Sequence, residues 1–181
     1  MNHRSPSASV IPARGQSNTG GMTVSDAERN LLGEMSNSAR NSTMKRLKRV
    51  AEGAENWAIA EGKLSFADLA CHILECDKAV LKIFESNSIG KNIGTPGMAG
   101  TVDRAGYDAI IAGLKEMKTL RHDFILGLSD DQLNVLIDAD RIRGVEKMPA
   151  RLLIVEAIDH EIHHRGQIAV YLGLCEAMRS A

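Results

Sequence analysis

Residues 149–177 read PARLLIVEAIDHEIHHRGQIAVYLGLCEA, a helix by every local criterion. Pro149 suits a first helical turn, because its fixed φ is already helical and its missing N–H would have no partner there. Leu153, Ala157, His160, His164, Ile168 and Tyr171 then recur at spacings of three and four, the period of one helix face. His160 and His164 thus stand where hydrophobic residues belong, on the face that points into a bundle. Four residues apart, they lie one turn over the other, roughly 5–6 Å between Cβ atoms. Two imidazoles so placed can share one divalent cation.

Earlier in the chain, Ser65-Phe66-Ala67-Asp68 pairs a hydroxyl with a carboxylate three residues on, a helix start signal. The stripe that follows is Leu69, His72, Ile73, Cys76, Val80 and Ile83, with His72 in its middle. If this helix faces the last one at the same level, three imidazoles meet. A third helix is expected from Asp103 to Gly127, with Ile110, Leu114, Met117, Leu120, Phe124 and Leu128 on one side. Ser129-Asp130-Asp131-Gln132 caps a short additional segment, and Lys147-Met148-Pro149 reads as a turn.

The first helix opens at the capping box Ser25-Asp26-Ala27-Glu28. Leu31, Leu32, Met35, Ala39, Met44, Leu47, Val50, Ala54 and Ala58 carry it to about Ala60, with a kink near Gly53 and an end at Glu61-Gly62-Lys63. Residues 86–102, SNSIGKNIGTPGMAGTV, form a long loop. Residues 1–24, rich in Pro and Gly with no apolar period, are expected to be a disordered extension and a poor secretory signal. No stretch alternates with period two for long enough to demand a strand. The expected fold is all-α: residues 25–181 as a four-helix bundle with a short additional helix, each stripe buried against the others.

Composition agrees. Trp57, Tyr107, Tyr171, Phe66, Phe84 and Phe124 are the only aromatic residues, too few for the sandwiches and barrels that lean on them. A net charge of −1 provides no basic field for nucleic acid. No apolar run approaches the roughly 20 residues of a membrane span. Cys71, Cys76 and Cys175 are odd in number and lack a CxxC, which speaks against a disulfide framework or zinc knuckle. Reduced thiols fit a cytoplasmic setting.

A single histidine on an apolar face is ordinarily a hydrogen-bonded core residue. Three of them, His72, His160 and His164, two at i and i+4, favour a metal, because each lone buried imidazole carries a desolvation cost. His163 lies one step round the helix and reads as a surface residue. His122 is unassigned, and His3 belongs to the tail. Glu161 points about 100° off the histidine face and reads as a surface carboxylate, with a role as hydrogen-bond acceptor near the site as the alternative. Cys76, one turn from His72, reads as a small core residue, with a fourth ligand or reactive thiolate as the alternative. HEIHH also matches the HExxH zincin string, with Glu161 as general base. However, Gln167 and Val170 break the longer metzincin pattern, and Glu176 is the only carboxylate among the 17 residues after His164.

HEIHHRGQIAVYL (160–172) resembles the HxxxHRGQ helix of the DinB-like (YfiT-like) family, and LSFADLACHILECDKAVLKIF (64–84) resembles the helix bearing that family's first metal histidine. The resemblance spans about residues 25–178. It implies a four-helix bundle, frequently a homodimer, with nickel or zinc held by His72, His160 and His164. Family members include S-transferases using bacillithiol, mycothiol or glutathione, a mycothiol-dependent maleylpyruvate isomerase, and metal-dependent hydrolases. The leading expectation is therefore thiol-dependent S-transfer to a small-molecule electrophile, with a low-molecular-weight thiol at the open metal position. A hydrolase or isomerase on the same site, or a metal-binding stress protein without turnover, are the alternatives. Arg165 reads as a solvated charge, with anion binding as its functional option. Gly166 is expected to allow a close helix approach, and Gln167 to orient a ligand or a neighbouring helix.

Overall fold

A computed structural model describes residues 24–86, 98–138 and 146–180. The chain runs α1 (Val24–Leu47), α2 (Phe66–Ser86), α3 (Arg104–Gly127), a short α4 (Asp130–Asn134), β1 (Leu136–Asp138), β2 (Lys147–Pro149) and α5 (Ala150–Ser180). α1 and α2 each pack along both α3 and α5, so the four long helices form a bundle with α1 diagonally opposite α2. Among the described residues no helix is long and apolar enough to cross a membrane. The expectation of disorder for residues 1–24 falls on residues outside the described ones, save Val24, which begins α1. Within the 86–102 loop, residues 87–97 likewise lie outside the described residues.

Three of the helix starts follow the sequence signals. Ser65 and Asp68 cap α2 reciprocally: the Asp68 N–H donates to Ser65 Oγ at 3.1 Å, and the Ser65 N–H to Asp68 Oδ2 at 3.0 Å. Asp103 accepts from the Gly106 N–H at 2.8 Å to open α3, and Ser129 with Gln132 forms a full capping box on α4. α1 differs. It begins at Val24, so Ser25 lies inside the first turn rather than at the cap.

The first helix also ends at Leu47, well short of Ala60. Residues 48–65 instead make a chain of turns, with Gly53 at φ 82° and Gly62 at φ 73°, a left-handed conformation that glycine adopts without steric cost. Tertiary partners take the carbonyls that a continuing helix would use. Tyr107 Oη donates to Leu47 O at 3.0 Å, and Arg104 donates to Val50 O at 3.0 Å. The Ala67 N–H donates to Glu55 O at 2.9 Å. Val50 and Ala54 are buried all the same, reached from a loop rather than a helix face.

The core has two apolar ends. One gathers Leu47, Phe66, Leu69, Ile73, Tyr107, Leu114 and Ile168, with Trp57 packed edge-on to Tyr171. The other gathers Leu32, Ile125, Leu128, Leu133, Ile154 and Ile158. Fully burying one such side chain stabilises the fold by about 1.5–3 kcal/mol. The real stripes are rotated slightly from those expected: Leu31, Met35 and Leu120 are exposed, while Arg40 and Arg121 face inward.

The expectation of no strand is corrected by a small antiparallel ladder, in which Ile137 pairs with Met148 and Leu136 with Pro149. Three residues per strand are too few to show a period of two. The ladder buries Ile137 and Met148 and leads directly into α5.

Candidate metal centre

His72 projects from α2, and His160 and His164 from the middle of α5. Their Nε2 atoms converge: 3.2 Å from His72 to His160, and 2.9 Å from His160 to His164. The His72 and His164 ring centroids are 4.6 Å apart. His164 is buried, and the other two are half-buried. Cys76, one turn along α2 from His72, brings its Sγ to 3.8 Å from His72 Nε2. The ligand atoms of His72, Cys76 and His160 all lie within 4.8 Å of one another, so this cluster can hold a metal ion.

All three rings are biased toward their neutral, ligating form. Burial takes His164 down to about 4, against the Gln167 hydrogen bond, which favours the charged ring. Burial likewise lowers His72, with repulsion from His160 adding to it. His160 is lowered first by burial and then by His163, with Asp77, Glu161 and Asp159 pulling the other way.

Gln167 sets the tautomer of His164. Its Oε1 lies 2.7 Å from His164 Nδ1, and its Nε2 lies 3.2 Å from His163 Nε2. An amide oxygen only accepts, so His164 Nδ1 carries the proton and Nε2 keeps its lone pair toward His160. His163, exposed as expected, thereby acquires a role: it accepts from the Gln167 amide and fixes which way that amide faces.

Glu161 is not a surface carboxylate. It is 1% exposed and sits in a buried cluster with one member on each long helix. Arg40 of α1 binds Glu161 Oε1 through Nε at 2.8 Å and Asp77 Oδ2 of α2 through Nη2 at 2.6 Å. Arg121 of α3 binds Asp77 Oδ1 at 2.7 Å and Glu161 Oε2 at 2.9 Å. Two cations and two carboxylates close a neutral ring. Burial alone would raise the Glu161 carboxyl, but Arg40 and Arg121 together hold it below the usual carboxylate range. Buried and bound to two guanidinium groups that hold its carboxyl low, Glu161 is a poor general base, which speaks against the zincin reading. The two acids directly follow Cys76 and His160 in the chain, so the ring fixes the helix register at the level of the donors.

Sequence reasoning missed this ring. Its signal was present in Arg40, Asp77, Arg121 and Glu161: charges of opposite sign at the inward phase of four amphipathic helices. Gly166 is also corrected. Among the described residues, a Cβ there would meet nothing within 4 Å, so no described helix approaches it. Arg165 is half-buried and makes no ion pair with a described residue.

No curated protein matches this chain. A crystal structure of a DinB-like protein, YjoA of Bacillus subtilis, is similar in fold, with a TM-score of 0.63 and 21% identity over 81% of this chain and 93% of that one. The profile of the DinB family matches residues 22–175, a span that takes in the four long helices and the converging rings. On that match, the chain belongs to the DinB family.

Proposed function

We propose that His72, His160 and His164 hold a divalent cation, nickel or zinc, and that the chain is a metal-dependent enzyme transferring a low-molecular-weight thiol to a small electrophile. One observation carries the metal reading. A ring nitrogen has one in-plane orbital, so it makes one linear hydrogen bond, as donor or as acceptor. His160 Nε2 nevertheless faces two other Nε2 atoms, at 3.2 and 2.9 Å. Proton sharing satisfies one of these contacts and leaves the other without a partner. Three lone pairs converging on one cation satisfy all three rings. The spacing fits too, since nitrogens bound at about 2.0–2.1 Å to one tetrahedral ion lie roughly 3.3 Å apart.

A cation held this way supplies Lewis acidity, which makes a thiol nucleophilic near neutral pH. The protein's own groups do the rest. Burial keeps the rings neutral, Gln167 aims His164, and the charged ring holds α2 against α5. Val170, Leu174 and Met178, exposed along the end of α5, offer a surface for the proposed homodimer. The free cysteines suit a reducing, cytoplasmic compartment.

The test is thiol-dependent consumption of an electrophile by metal-loaded protein, compared with His160→Ala. Activity that needs both thiol and His160 supports transfer. Turnover with water alone points to a hydrolase. Full metal occupancy with no turnover across thiols and electrophiles points to a metal-binding protein without catalysis.

A further inference from the structure

We infer that Cys76 is a fourth donor to the same cation, so that the centre is His3Cys rather than His3. This rests on the metal reading above and adds a residue to it. Two helices face each other here, and each presents a pair of donors at i and i+4: His72 and Cys76 on α2, His160 and His164 on α5. The sulfur stands 3.8 Å from His72 Nε2 and within 4.8 Å of the His160 donor atom. A sulfur at about 2.3 Å and a nitrogen at about 2.0–2.1 Å from one tetrahedral ion lie roughly 3.5 Å apart, close to the His72 spacing; His164 is not in the set within 4.8 Å, so the sulfur must turn toward it for all four donors to meet one ion.

Cys76 is half-buried, compatible with the small core residue expected from sequence, but whereas Cys175 packs against the apolar cluster around Phe66 and Tyr171, Cys76 sits beside the His72 ring nitrogen. Its neighbours are the polar donors and the charged ring that begins at Asp77. Nor is it a poised nucleophile by itself. Burial, with Asp77 and Glu75 nearby, pushes its thiol up to about 12, far from the lowered values of reactive cysteines. Bound to a divalent cation, the thiol would lose its proton to solvent and join the imidazoles as a soft thiolate donor suited to zinc or cobalt, with expansion to five-coordination leaving a position for the incoming thiol.

The experiment titrates Co²⁺ into the reduced, metal-free full chain and follows both bound cobalt and the near-ultraviolet spectrum. Thiolate ligation gives an intense sulfur-to-cobalt charge-transfer band. The band is expected in the wild type, is lost in Cys76→Ser with cobalt still bound, and survives in the double variant Cys71→Ser/Cys175→Ser, where Cys76 is the only thiol. Cobalt uptake without the band, or a band that persists in Cys76→Ser, overturns the cysteine ligand and leaves the three histidines standing. No cobalt uptake by the wild type overturns both. The double variant keeps the proposal falsifiable even if Cys76→Ser folds poorly.

Discussion

Two polar clusters lie side by side in the middle of this bundle, and their hydrogen-bond arithmetic differs. In the charged ring, two guanidinium groups meet two carboxylates, and Arg40 and Arg121 also reach the carbonyls of Leu114 and Ser36. Its charges cancel and its carboxylate oxygens all have partners, although Arg121 Nε is buried without one. The histidine cluster is less deeply buried and has the opposite balance: three nitrogens point at one another, with at most one proton able to serve them. A buried network whose charges cancel is a structural element; converging lone pairs without protons to share can hold a cation. The two are joined by sequence, because His160 precedes Glu161 and Cys76 precedes Asp77.

The sharpest way to break this contrast is to unbalance the ring. Glu161→Ala leaves Arg40 and Arg121 buried with Asp77 alone, and we expect a loss of about 3–5 kcal/mol in urea unfolding, a large part of a typical domain's stability. A loss under about 1 kcal/mol would show that the ring tolerates an unpaired charge. The histidines should behave in reverse. Zinc or nickel at about 100 times its Kd should stabilise the wild type by about 2.7 kcal/mol, and His160→Ala should abolish that gain. A metal-induced shift that survives the substitution would put the cation elsewhere.

Smaller effects probe the supports. Gln167→Ala frees the His164 tautomer without removing a donor, and calorimetry should find metal affinity weakened about 10- to 100-fold, with the fold unchanged. Unchanged affinity would reduce Gln167 to a packing residue. Gly166→Ala lies at the bottom of the scale. The position is open and helical, so alanine should stabilise the chain by roughly 0.8–1 kcal/mol. Destabilisation in thermal unfolding would mean that something approaches that surface after all.

The histidine cluster was legible in the sequence because imidazoles at i and i+4 on an apolar face have few bland explanations. α2, α3 and α5 were legible for a similar reason: each has a continuous stripe, and the first two carry side-chain caps. The end of α1 was not. Val50, Ala54 and Ala58 keep helical spacing, but the contacts that terminate the helix come from Tyr107 and Arg104, more than 50 residues away in the chain. The ring was missed because its members sit on four separate helices: each shows only as one charge at an inward phase, and nothing in the sequence says which charges pair. Gly166 shows the converse error, a glycine credited with a close approach that its surroundings do not contain.

His72 and His160 are 88 residues apart in the chain, yet 3.2 Å apart in space. A nascent polypeptide emerging from the ribosome holds only the α2 pair of donors until nearly all of the bundle has been synthesised. Capture of the proposed cation would therefore be a late event in the life of this chain. An ion bound at the proposed centre would mark a molecule whose last helix has docked, and a molecule truncated before that helix would lack two of the three imidazoles.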